Sequence, residues 1–412
     1  MKKNLLTTAF LVVTAAFIGC SSDDNLAELQ GGDPVPAKGT PMTVTVSDGS
    51  GDATRYDNTT TSNIAYFQMW AYNTTNVSDQ VMQIDGLMFS KTAANNTKFT
   101  NSDANWPANN TDPCFFYAVS ENVNTGGDEM KANFEATGTG TSIAPKITYS
   151  LPTTTGTVQR YYDNAILESK PTTVVDVDNT KDFLVCTHTN GGNGSTEAVN
   201  GSNLSLTFDH ALADLEIAAR FTSYEYTPTV PAVNMQIPDN AKIIINYIAI
   251  HGLKRTGTYN FNTGWTSTLA DEVVYLYTPA TPVEVVAQHA TTGTAAIPIV
   301  RTSIVPAGKL LIIPQPFTPW PADGDANDDD LDGGGGSGYA YVEVNFTCEG
   351  FGSAAPDDVY DDNGDDDTVS GFFPLNITNN AFVKGKKHKL LLNLNYMLYA
   401  DGSGMFDSPD IM

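Results

Sequence analysis

Positive charge is scarce in this sequence. Lys and Arg number 21 against 47 Asp and Glu, for a formal net charge of −26 at pH 7. A surface of that sign repels phosphate backbones and carries no basic stripe to offset it, which excludes nucleic acid as a partner. Histidine is scarcer still: His188, His210, His251, His289 and His388 are scattered and form no H-E-x-x-H or paired-ligand spacing. The chain has no G-x-S-x-G elbow and no phosphate-cradling glycine loop ahead of a helix. No catalytic residue is assigned, no cofactor is expected, and the chain is read as a non-enzyme.

Long apolar runs are missing too, with one exception. Leu5 to Ile18 is almost unbroken, with Lys2 and Lys3 before it and Gly19-Cys20 directly after. A run that short behind a basic front reads as a secretory signal and not as a spanning helix. The cysteine at its end resembles the lipobox of bacterial lipoproteins. Residues 1–19 are then expected to be a signal peptide, and Cys20 the lipidation site that anchors the chain to the outer membrane through buried methylenes. Ser21-Ser22-Asp23-Asp24 resembles the surface-export signal of Bacteroidetes lipoproteins. Residues 20–40 are polar, contain Gly and Pro and lack periodicity, so they read as a lipid-anchored tether.

Cysteine offers little else. With Cys20 set aside, Cys114, Cys186 and Cys348 remain, an odd number that cannot be a complete set of internal bridges. Either Cys114 pairs with Cys186 or all three are buried thiols acting as small hydrophobes.

What the chain does have is Thr, Asn, Asp, Ser and Gly between short apolar runs, a composition for strands and turns. Strands are predicted at Met42–Val46, Ile64–Tyr72, Val81–Phe89, Cys114–Val119, Ile147–Leu151 and Phe183–Thr187. Asn164–Glu168 reads equally as helix or strand. After the Gly/Asn-rich stretch Asn190–Asn203, Leu204, Leu206, Phe208 and His210 share one face, and then Leu215, Ile217, Ala219 and Phe221 carry the pattern on the other parity. Such a phase change marks a bulge or a strand switch. Further strands are predicted at Lys242–Ile250, Glu272–Tyr277, Leu310–Pro314, Tyr339–Thr347 and Lys389–Tyr399. Alternation with almost no amphipathic helix argues for an all-β, mostly antiparallel fold. The expected units are an N-terminal β-sandwich domain over 41–198 and a C-terminal one, with its tail, over 199–412.

Some residues stand out from this background. Asp323, Asp325, Asn327 and Asp329, and likewise Asp361, Asn363, Asp365 and Asp367, have the every-second-residue spacing of a calcium loop. Position six is Asp328 or Asp366 instead of Gly, and position twelve is Gly334 or Phe372 instead of Glu, so no metal site is assigned and solvated loops are the favoured reading. Lys384, Lys386, Lys387, His388 and Lys389 form a basic approach to the last strand. His210, on an apolar face, reads as a hydrogen-bonded structural residue. Trp70 reads as core, while Trp106 and Trp320, in polar or Pro-rich turns, are candidates for a sugar-stacking surface.

A series of motifs then resembles the fimbrillin family of Bacteroidetes. It runs from Ile64-Ala65-Tyr66-Phe67-Gln68-Met69-Trp70-Ala71, through Asn105-Trp106-Pro107 with Phe115-Phe116-Tyr117-Ala118, to Leu204-Ser205-Leu206-Thr207-Phe208-Asp209-His210-Ala211-Leu212-Ala213-Asp214-Leu215. It continues with Leu311-Ile312-Ile313-Pro314-Gln315 and with Gly385-Lys386-Lys387 followed by Leu392-Asn393-Leu394-Asn395-Tyr396. The resemblance implies two tandem transthyretin-like Greek-key β-sandwich domains in a lipoprotein of the cell surface that assembles into fimbriae. It also implies strand exchange: a protease cutting after a basic residue frees the first strand, and an extended segment of another subunit fills the groove. Carried onto this chain, the displaced strand is Met42, Val44 and Val46, the scissile bond follows Arg55, and the candidate donor is the tail with Met405, Phe406 and Met412. The implied partners are other fimbrial subunits, a host or bacterial surface protein or glycan, and the membrane through the lipid. The alternative is a surface glycan-binding lipoprotein.

Overall fold

The computed structural model describes residues 41–48, 64–73, 84–91, 98–106, 114–121, 134–137, 144–162, 165–189, 204–221, 238, 240–288, 301–320, 339–351 and 368–394. Among these the fold is all-β, with 3-10 backbone at Thr378–Asn380 and again at Leu394.

The first assembly is a closed barrel among the described residues. It contains β1 (Pro41–Asp48), β2 (Tyr66–Asn73), β3 (Asp85–Lys91), β4 (Lys98–Asn105), β5 (Cys114–Glu121), β10 (Phe183–Thr189) and β11 (Leu204–His210), in the order β1-β11-β10-β5-β2-β3-β4 with β4 returning to β1. Its interior is filled from alternate positions of each strand, including Met42, Val44 and Val46 of β1, Phe67 and Met69 of β2, Phe116 of β5 and Leu204, Leu206 and Phe208 of β11. Phe67 is the hub: it stacks on Phe89 at 5.2 Å and 3°, and packs tilted on Phe99 and Phe208.

The remaining strands build two further sheets. One holds β12 (Ala213–Arg220), β16 (Thr302–Val305), β17 (Leu311–Ile312) and β21 (Lys387–Asn393), with β21 parallel to β12. The larger sheet runs β18 (Thr318–Pro319), β19 (Tyr339–Glu349), β13 (Lys242–Asn260), β14 (Gly264–Tyr277), β9 (Ala165–Val175), β8 (Thr153–Tyr162). Attached to it are β6 (Phe134–Thr137), β7 (Ala144–Ser150), β15 (Val283–Val286) and β20 (Thr368–Pro374).

Strands β2, β5 and β10 are buried on both faces. Their residues on the face turned away from the barrel interior, Trp70, Tyr72, Tyr117, Val119, Phe183 and Val185, join the core of the other two sheets. There Trp70 stacks on Phe134 at 4.0 Å and Tyr149 stacks on Phe183 at 4.3 Å. This explains why Ile64–Tyr72 reads as a nearly continuous apolar run and not as clean alternation, since a strand covered on both sides has no polar face.

Three expectations change. The first unit is a closed barrel and not an open Greek-key sandwich, because β1 pairs on both edges, with β4 and with β11. Strands β6 to β9, which the sequence reading assigned to the first unit, lie in the large sheet: β7 pairs with β13 and β9 with β14. Leu204–His210, assigned to the start of the second unit, is a strand of the barrel. The sheets thus cut across the boundary read at 198/199. The chain leaves the barrel at Ala211-Leu212, where the parity of the apolar residues inverts, so the phase change is a strand switch. Asn164–Glu168, left open as helix or strand, falls mostly within β9.

Candidate functional site

The strand that closes the barrel is the site to build from. β1 carries Met42, Val44 and Val46 inward at 1%, 0% and 3% exposure, while Thr43 and Thr45 are half-buried and Ser47 is exposed. Burying three such side chains contributes on the order of 1.5–3 kcal/mol each, so the groove they fill is costly to leave empty. Its walls are named by register: Val44 lies beside Phe99 of β4 on one edge and beside Leu204 of β11 on the other, and Val46 lies beside Leu206.

The geometry of attachment sets β1 apart. It forms a hairpin with neither neighbour: β4 is reached only after β2 and β3, and the pairing with β11 is parallel. Ser47 Oγ and Thr207 Oγ1, 3.1 Å apart along this seam, are separated by 160 positions. Every other seam of the barrel is antiparallel. The covalent link between β1 and the rest of the barrel therefore contributes little to its pairing. Main-chain hydrogen bonds and alternate apolar pockets do the holding, and a segment of like pattern from elsewhere satisfies both.

Of the residues singled out in the sequence, the structure brings Met42, Val44 and Val46 together with β11 residues that the sequence reading had placed in another domain. Arg55, Cys20, the tail residues Met405, Phe406 and Met412, and both acidic series, Asp323 to Asp329 and Asp361 to Asp367, lie outside the described residues. Cys114, Cys186 and Cys348 are buried thiols and form no disulfide, which decides between the two readings. Burial pushes the Cys186 thiol up to about 12, so it behaves as a small hydrophobe of the barrel wall. Trp70 is core as expected. Trp106 is not a surface residue: it is 1% exposed and meets Phe116 edge-on at 5.9 Å inside the barrel, because β4 turns its end inward.

Polar groups gather where the chain leaves the barrel. His210 Nδ1 is hydrogen-bonded to buried Asp182, as a structural histidine. Two residues into the next sheet, buried Asp214 accepts from Gly308 N at 2.9 Å. Burial raises its carboxyl to about 6, helped by Glu216 and Asp182 and opposed by the Gly308 bond and by Lys387. The switch itself is pinned by Trp265 Nε1 donating to Ala211 O at 2.6 Å and Gly385 N donating to Leu212 O at 2.9 Å. The basic approach to β21 is paired within the chain: Lys384 Nζ donates to the Tyr259 hydroxyl at 2.7 Å, and Lys389 lies 3.4 Å from Glu216. His388 accepts from Val383 N, and burial lowers its pKa.

Among the described residues no group of three or more His, Cys, Asp or Glu side chains is arranged to hold a metal ion. No helix among them is long and apolar enough to cross a membrane.

Fold and site together define an all-β protein of the sandwich and barrel class with a strand-filled groove. Solved structures of similar shape include a fimbrial protein from Bacteroides vulgatus, at 14% identity and a TM-score of 0.40 over 86% of this chain and 95% of that one. A candidate cell adhesion protein from Parabacteroides distasonis matches at 10% identity and 0.38, over 90% and 91%. Another from Bacteroides uniformis matches at 14% and 0.37, over 90% and 98%. No protein-family profile and no curated protein matches the chain.

Proposed function

We propose that this chain is a structural, non-catalytic subunit of a surface fimbria, exported as a lipoprotein through Cys20 and joined to its neighbours by strand exchange. In this reading β1 fills its own groove until the chain is cut after Arg55, and an extended segment of a second subunit then takes its place. The tail with Met405, Phe406 and Met412 is the candidate donor; Phe406 and Met412, which share one parity, offer apolar side chains to the groove that Met42, Val44 and Val46 vacate.

One observation carries the reading: β1 closes the barrel with three fully buried side chains, yet is attached to both neighbours only through long-range pairing. A strand held in that way is the element that subunits exchange most readily.

The test is digestion of the purified chain with an arginine-specific protease, followed by intact mass and unboiled SDS gels. A product beginning at Tyr56 within an SDS-resistant ladder is the expected result, and Arg55→Ala is expected to stay monomeric. Quantitative cleavage that leaves only monomers would falsify polymerisation by exchange at this groove.

A further inference from the structure

The large sheet has a second face that the barrel does not use. Along β19, Ala340, Val342, Val344, Phe346 and Cys348 enter the hydrophobic core, so Tyr339, Tyr341, Glu343 and Asn345 point to the opposite side. A sheet face turned away from the core is ordinarily solvated. Here Glu343 is 0% exposed and Asn345 3%.

Glu343 sits in a built polar network. His251 Nε2 donates to its Oε2 at 2.9 Å, and the Tyr247 hydroxyl lies 3.3 Å from its Oε1 and 2.6 Å from the Gln159 carbonyl oxygen of β8. Asn246 Nδ2 donates to Asn345 Oδ1 at 2.9 Å, while the buried Asn345 Nδ2 has no acceptor among the described residues. Burying a carboxylate and a row of amides adds little to stability compared with apolar residues of the same volume, so this network calls for a purpose other than holding the fold.

Aromatic rings border the network at one end. Tyr341 stacks on His251 at 4.4 Å and 8°, with Trp320 tilted against it at 6.5 Å and Phe372 edge-on to it at 6.1 Å. Tyr339, two residues before Tyr341 on the same face, is 37% exposed, and Trp320, Phe372 and His251 are half-buried. Gly252 makes this edge possible: at φ +75 it lets the start of β19 approach so closely that a Cβ there would lie 1.9 Å from the Tyr339 carbonyl oxygen.

We propose that this edge, Tyr339, Trp320, Tyr341, Phe372 and His251 backed by Glu343, is a binding site for a neutral saccharide. Ring faces at a rim offer stacking to the C–H face of a pyranose. In a neutral ring, Nε2–H donating to Glu343 leaves Nδ1 as an acceptor, and Nδ1 makes no hydrogen bond among the described residues. That nitrogen accepts a hydrogen bond from a sugar hydroxyl, and Glu343 is the positioning residue that fixes its tautomer. The chain's negative charge disfavours a phosphorylated or sulfated ligand. An ammonium ligand fits less well, since His251 covers one face of Tyr341 and both Glu343 oxygens have neighbours in contact. The site lies on a different sheet from β1, so its test stands apart from that of strand exchange.

Calorimetry and tryptophan fluorescence on the full chain decide the matter, with maltohexaose, cellohexaose, xylohexaose, mannohexaose and chitohexaose as probes. Choline and a heparin hexasaccharide serve as charged controls. Saturable binding of at least one neutral hexasaccharide is expected, weakened about tenfold or more in Trp320→Ala and in the surface variant Tyr339→Ala. Histidine ring-nitrogen NMR shifts are expected to report a single Nε2–H tautomer for His251 and a mixture in Glu343→Gln. The proposal is overturned by no saturable binding of any neutral probe, by binding of the charged controls alone, or by affinity that both aromatic variants leave unchanged. An unaltered His251 tautomer in Glu343→Gln overturns the positioning role.

Discussion

Val44 and Leu204 are neighbours in parallel register across the seam that closes the barrel, at the same 160-residue offset that brings Ser47 to Thr207. Neither side chain is exposed to solvent. A contact so buried and so remote along the chain makes β1 both indispensable to the barrel and separable from it.

Replacement of β1 in trans follows directly. A chain beginning at Tyr56 lacks three buried side chains and is expected to lose roughly 5–9 kcal/mol of stabilisation. The synthetic octapeptide matching Pro41–Asp48 is expected to raise its melting temperature in a concentration-dependent way. The same peptide carrying Val44→Asp should give no rise, because it brings an unpaired carboxylate between Phe99 and Leu204. Thermal denaturation against peptide concentration checks both.

Gly252→Ala tests the kink in β13. A Cβ at φ +75 and 1.9 Å from the Tyr339 carbonyl oxygen forces the two strands apart. Combining the strain of a left-handed residue with that displacement, we expect a loss of about 3 kcal/mol or more, read as a lower urea midpoint. Gly264→Ala is the matched control for strain without crowding: it shares a positive φ, but nothing lies within 4 Å of its Cβ.

The Asp214 carboxyl gives a pH dependence of defined sign. Its folded pKa is raised from 3.8 to about 6, so the folded state holds its proton more tightly than the unfolded one. The associated stability is fully present below about pH 4 and is lost as pH rises through about 6. Asp214→Asn keeps an Oδ1 for Gly308 N without the buried charge. It is expected to be more stable than the parent by about 1–3 kcal/mol at pH 7.5, with the difference shrinking toward pH 4. Chemical denaturation at both pH values measures it.

Thiol chemistry checks the interior of the barrel. Cys114, Cys186 and Cys348 are all buried, and the Cys186 thiol is pushed up to about 12. A thiol-selective chromogenic reagent at pH 8 should leave them unmodified in the folded chain and label all of them after denaturation in guanidinium. Modification of Cys186 at the rate of a small-molecule thiol in the native chain would show that the barrel opens.

How much of this was legible in the sequence depends on range. Strand existence was: Met42–Val46, Cys114–Val119 and Tyr339–Thr347 all lie within observed strands, because period-two burial is a local signal. Assignment to sheets was not. Leu204–His210 carries no mark that says its partner is β1, and alternation looks the same in an open sandwich and in a closed barrel. The inversion of parity after His210 did signal the strand switch, yet nothing local told which side of it belonged to the barrel. Trp106 misled because its neighbours Asn105 and Pro107 are loop-like, while the side chain turns back on Phe116. Glu343 did leave a mark in the sequence, since it is an acidic residue set between Val342 and Val344 in the middle of an apolar strand.

The connection at Ala211-Leu212 has a mechanical meaning. β11 and β12 are consecutive, and each has a parallel partner: β1 lies along β11, and β21 lies along β12. Tension between the first and the last of the described strands is therefore carried along a single spine, Leu204 to Arg220. At both seams the load is in shear, where the hydrogen bonds of a whole strand must fail together and cannot be unzipped one at a time. A body linked to neighbours through these strands resists being pulled apart along its length far better than being peeled from the side.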